Sequence, residues 1–158
     1  MNFLEPASQD TELQTMLKKA VQRELQASIQ YKWQQLTLAG IEAAAAENTF
    51  KQNAEESAKN TEALAERLVF LDGVLPTTFD AVHIEYSIDD VLKQNVKDTE
   101  ETINLLKQII RHTNKEGDFA TSRIVEDVLV VEEKHLDRVS KMLVGLTKPW
   151  TQVKLDSE

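Results

Sequence analysis

Residues 125–139 read VEDVLVVEEKHLDRV. The three- and four-residue steps between Val125, Val128, Glu132, His135 and Val139 fit an α-helix that turns one stripe toward a core. On that stripe a carboxylate and an imidazole stand one turn apart, at positions where the helical period calls for apolar side chains. The same spacing recurs upstream. Leu17, Ala20, Glu24, Ala27, Tyr31 and Leu38 form one series, Phe50, Ser57, Asn60, Leu64 and Leu68 a second, and Val91, Asn95, Thr99, Leu106 and Ile110 a third.

These series predict helices over about 11–39, 46–71, 87–113 and 118–145, followed by an irregular tail over 146–158. Gly40 and Gly73 are placed to end the first two, Ser87 and Asp118 to cap the starts of the last two. The first and third connections are short, as antiparallel neighbours require, whereas the second, from Asp72 to Tyr86, is long enough to run the length of a bundle. The expected fold is therefore all-α, a four-helix bundle with one long crossover between its second and third helices, and a single domain over 1–158. Trp33, Tyr86 and Trp150 are candidates to pack against partner subunits or to cap the core locally.

Composition narrows the function classes. The chain has 158 residues, no cysteine, four glycines and three prolines. This excludes a disulfide scaffold, a thiolate nucleophile and a zinc finger, and leaves few turn residues for a many-stranded sheet. The formal charge of −9 repels phosphate backbones and attracts cations, so no nucleic-acid partner is expected. The opening MNFLEPASQD lacks the basic and apolar character of a leader, and no run approaches the roughly 18 apolar residues of a membrane span. A cytoplasmic protein with no membrane partner is the expectation.

The chemistry rests on the polar residues in the core stripes. Glu132-Glu133-Lys134-His135 is an E-x-x-H motif, and i, i+3 spacing on a rigid helix delivers one oxygen and one nitrogen ligand to a single point. Glu24 lies on the inward stripe of the first helix, where a buried carboxylate is costly unless paired or bound to a cation. A metal site of Glu24, Glu132 and His135 is one reading. A structural hydrogen-bonded or ion pair in the core is the other. Reading the second helix one residue out of phase would bring Glu56 inward, but would lose the phase of Leu64 and Leu68.

Three segments resemble the bacterioferritins of the ferritin-like superfamily. Glu24-Leu25-Gln26-Ala27-Ser28-Ile29-Gln30-Tyr31 is similar to the family's first-helix motif E-L-x-A-x-x-Q-Y. Residues 66–76, ERLVFLDGVLP, are similar to its second-helix ending and crossover start, and EEKHLD over 132–137 to its E-E-x-H-x-D segment. The resemblance implies a hollow homo-oligomer for iron storage or detoxification, with ferrous iron as the ion handled. In the family two E-x-x-H pairs and two single glutamates hold two irons. Here the second helix carries Ser57 and Asn60 at its pair, and the third carries Thr99, so Glu24, Glu132 and His135 remain of six ligands. The resemblance then implies a reduced metal site, weak ferroxidase activity at most, and Tyr31, Ser57, Asn60 and Thr99 as hydrogen-bonding neighbours. Ala58 stands where the family's haem-ligating methionine falls, so haem is not expected. The alternative is a non-catalytic structural or co-assembling subunit with a metal-free hydrogen-bonded core. The lack of a long fifth helix leaves the subunit number open.

Overall fold

The computed structural model describes residues 9–147. Within them the chain forms α1 (Glu12–Thr37), α2 (Ile41–Phe70), α3 (Ile88–Glu116) and α4 (Phe119–Thr147), with no strand among the described residues. Helix α1 packs along α2, α3 along α4, and the bundle closes through α1–α3 and α2–α4 contacts. The four-helix bundle with one long crossover is thus the observed fold. Trp150 and the predicted tail beyond 147 lie outside the described residues.

Two apolar clusters fill the ends of the bundle. Leu17, Leu64, Leu68, Leu106, Ile109 and Val125 occupy one end, and Tyr31, Phe50, Val91, Leu92 and Val139 the other. Residues late in α1 and α4 therefore meet residues early in α2 and α3, so every adjacent pair is antiparallel and the crossover must traverse the molecule. At 1.5 Å per residue that distance is about 40 Å.

The helix ends follow the local chemistry, with two departures from expectation. Thr11 caps α1 in a reciprocal box with Gln14, Ser87 accepts from the Asp90 amide of α3, and Asp118 accepts from the Thr121 amide at the start of α4. Gly40 does not end α1. Leu38 leaves the helix in an extended conformation, and Gly40, at φ 98°, caps the start of α2. Helix α2 accordingly begins at Ile41 rather than near 46, because the alanine run Ala43–Ala46 has the highest helix propensity available. At the other end of α2 the left-handed turn residue is Asp72 (φ 61°). Gly73 is needed there for space: its amide bonds Leu68 O at 2.9 Å, and a Cβ would collide with the buried Leu68 side chain.

The crossover is tied down by a row of glutamines on α1 that the apolar stripe does not reveal. Gln22 donates to Thr78 O at 2.8 Å and Gln26 to Ala81 O at 3.5 Å. Gln30 both donates to His83 O (2.8 Å) and accepts from the His83 amide (2.6 Å). Gln34 exchanges two 2.9 Å bonds with Asn95 of α3. Spaced by four, these side chains share one helix face; the amides of Gln22, Gln26 and Gln30 satisfy crossover backbone groups that sheet or helix partners would otherwise satisfy, and Gln34 ties α1 to α3 instead.

Candidate functional site

Midway between the two apolar clusters the stripes turn polar on all four helices. Helix α1 supplies Glu24, α2 Asn53, Ser57 and Asn60, α3 Thr99, and α4 Glu132 and His135, all buried. Ser57 and Asn60 are in phase with Phe50, Leu64 and Leu68, so the second helix delivers uncharged side chains to the waist. Thr99 is buried while its neighbours Glu100 and Glu101 are exposed. Glu24 and His135 have no exposed surface, and Glu132 retains 3%.

The two carboxyls are neighbours. Burial, and then the charge of Glu132, push the Glu24 carboxyl well above the usual carboxylate range, so Glu24 keeps a proton where a surface glutamate would lose it. Asn60 Nδ2 donates to Glu24 Oε2 at 3.4 Å. His135 Nδ1 lies 3.1 Å from Glu132 Oε1, and its other nitrogen, Nε2, lies 2.8 Å from Glu56 Oε2. Tyr31 meets the His135 ring edge-on at 5.8 Å, stacks on Phe50 at 6.1 Å, and places its hydroxyl 3.4 Å from Thr99 Oγ1. Burial, reinforced by Glu132, drives the Tyr31 phenol far above its ordinary range, so it remains a neutral hydrogen-bonding group.

Glu56, Arg138 and Asn53 complete the site and were not among the expected residues. Arg138 Nη1 donates to Glu56 Oε2 at 2.8 Å and to Asn53 Oδ1 at 2.9 Å. Burial pushes the Glu56 carboxyl up, but hydrogen bonds from Arg138, Gln52 and His135 and the Arg138 charge outweigh it and hold the group at about 2. Helix α2 keeps the phase that buries Ser57. Glu56 reaches His135 from the rim, because a long side chain bends around the edge of a stripe. Arg138, three residues after His135, lies on the same flank of α4, which was the available signal.

The arrangement does not fit a pair of irons. Ser57, Asn60 and Thr99 bring neither charge nor imidazole to the waist, and among the described residues no group of three or more His, Cys, Asp or Glu side chains forms a ready-made metal-ligand cluster. A smaller demand survives. Glu24 Oε1, Glu132 Oε1, His135 Nδ1, Ser57 Oγ and Asn53 Nδ2 are buried without a hydrogen-bond partner, and buried polar atoms normally have one. If Nε2–H of His135 donates a hydrogen bond to Glu56 Oε2, Nδ1 turns a lone pair toward Glu132, the tautomer that an outer carboxylate imposes on a ligating histidine. Nδ1 and Glu132 Oε1, 3.1 Å apart, are the atoms that would hold a cation there.

The family model of the ferritin-like domain matches residues 14–148, which spans all four helices. Among individual curated proteins, nothing matches this chain.

Proposed function

Because the chain belongs to the ferritin-like domain family, we propose that it is a bacterioferritin-like, self-assembling subunit for iron storage or detoxification. Its waist takes one divalent cation through Glu24, Glu132 and His135 and does not run two-iron oxidation. The observation that supports this reading is that Glu24 Oε1, Glu132 Oε1 and His135 Nδ1 are buried together with no hydrogen bond made, the last two 3.1 Å apart. Ferrous iron is the cargo ion that the family suggests, and the net charge of −9 favours its approach. Self-association is supported by large apolar side chains left in solvent near one end of the bundle: Trp33 is 50% exposed, Ile84 74% and Tyr86 95%. No helix is long and apolar enough to cross a membrane, and the cysteine-free sequence fits the reducing cytoplasm proposed as its location.

A second reading has its own support. The ion pairs joining His135 to Glu56 and Glu56 to Arg138, with no ligand cluster gathered among the described residues, favour a non-catalytic structural or co-assembling subunit whose waist holds protons only. Anaerobic loading with ferrous iron separates the two. After desalting, the wild type is expected to retain one ion per chain and a Glu132→Ala, His135→Ala double variant none. On admitting air, neither should oxidise iron faster than buffer. Equal retention in both decides for the metal-free subunit, and oxidation well above the buffer rate in the wild type alone refutes the loss of ferroxidase activity.

A further inference from the structure

The end of the bundle where α1 stops and α3 begins carries a groove. Its volume is about 940 Å³, and its walls include Trp33 and Leu38 of the α1 end, Ala43 of α2, Val82 and Ile84 of the crossover and Ile88 of α3. That is near the top of the roughly 300–1,000 Å³ of pockets that enclose a drug-sized group. The polar side chains that α1 sends to this groove are already engaged. Gln30 bonds the His83 backbone, Gln34 bonds Asn95, and Thr37 donates to Trp33 O at 2.6 Å. Apolar surface is therefore the favourable occupant. Of the charged groups at the lip, Asp89 is paired with Lys93 at 2.6 Å, His83 Nε2 lies 3.6 Å from Asp98, and Glu85 makes no ion pair among the described residues.

Helix α4 leaves the bundle at this same end. Its Val139, Met142 and Leu143 share one apolar cluster with Leu38, Ile88 and Val91, and those three also line the groove. Thr147 stands one turn, about 6 Å, beyond Leu143, and Trp150 follows three residues later, a stretch of at most about 10 Å. Residues 148–158, outside the described ones, read KPWTQVKLDSE. Pro149 has no N–H with which to carry on the α4 ladder, and Trp150 offers the largest apolar side chain of the stretch, one that removes roughly 150–250 Å² from water when buried. We infer that this chain's own tail turns back over the start of α3 and seats Trp150 in the groove, between Trp33 and Ile84. Glu85, Asp89 and Lys93 leave the lip net negative, and Lys148 and Lys154 flank Trp150, with Asp156 and Glu158 further on. The inference does not depend on the cation reading. A seated tail joins Tyr86 in the apolar surface offered to a neighbouring subunit.

The absence of cysteine from the sequence makes a cross-linking test clean. In the full-length protein Thr151→Cys is combined with Ile84→Cys or, as a control, with Glu116→Cys at the exposed far end of α3. After mild oxidation the first pair is expected to lose its thiols and run as a monomer on a non-reducing gel, and the control to keep them. A second measurement uses Trp33→Phe, which leaves Trp150 as the one tryptophan of the chain. Its emission should be shifted to the blue and quenched by acrylamide several-fold more weakly than a free indole. Adding Ile84→Glu, at a position 74% exposed and so tolerant of charge, should return both readings toward those of the free indole. Three results overturn the inference: a disulfide-linked dimer, which puts a second copy's tail in the groove; thiols as free as in the control; or Trp150 emission that Ile84→Glu leaves unmoved.

Discussion

Replacing Glu24 by Gln keeps the size of the side chain and an oxygen to accept from Asn60, but removes a carboxyl that burial and Glu132 hold in its protonated form. In the unfolded chain this carboxyl loses its proton around pH 4.3. At pH values above that and below the raised native value, the native state binds one proton more than the unfolded state. Stability therefore falls as pH rises, by up to about 1.4 kcal/mol per unit for one proton. Between pH 5.5 and 7.5 the wild type should lose up to about 2.7 kcal/mol relative to Glu24→Gln. Urea unfolding of both proteins in chelator at half-unit pH steps measures the difference. Starting at pH 5.5 keeps clear of the sequence isoelectric point of about 4.9, and groups common to both proteins cancel. Parallel curves, or a wild type that gains on Glu24→Gln as pH rises, would refute a proton held at Glu24.

Two further outcomes follow from the site and its strap. Glu56 is held near 2, below its ordinary range, so its stabilisation is complete above about pH 4.3 and is lost as pH falls toward 2. Glu56→Gln should melt below the wild type at neutral pH and converge with it near pH 2, as followed by circular dichroism. Gln30→Ala removes both bonds to the His83 backbone, should cost about 1–3 kcal/mol, and should raise amide hydrogen exchange across residues 78–83 while α2 keeps its protection.

The fold was legible because its signals are periodic and redundant. Long stripes at helical spacing, few turn residues and a single long connection leave little besides a crossover bundle. The start of α2 was less legible, since Gly40 serves as well before a helix as after one and only the alanine run behind it decides. At the waist, Glu24, Glu132 and His135 could be placed because they break an apolar stripe. Glu56 and Arg138 could not, because they sit beside the stripe rather than on it. Their role depends on reach across a helix pair, which spacing along one helix does not encode. The glutamine row on α1 was hidden for a different reason: amides on a helix flank read as solvated until a crossover is laid over them.

The polar belt between two greasy blocks also constrains how the bundle can assemble. In a core oiled from end to end, one helix could slip a turn past its neighbours at modest cost. Here a slip would push Glu24 in among leucines and strand Asn60 and His135 opposite methyl groups. Polar groups in a core can act as such a register key. Whatever ion or proton it holds, such a belt locks four rods in step.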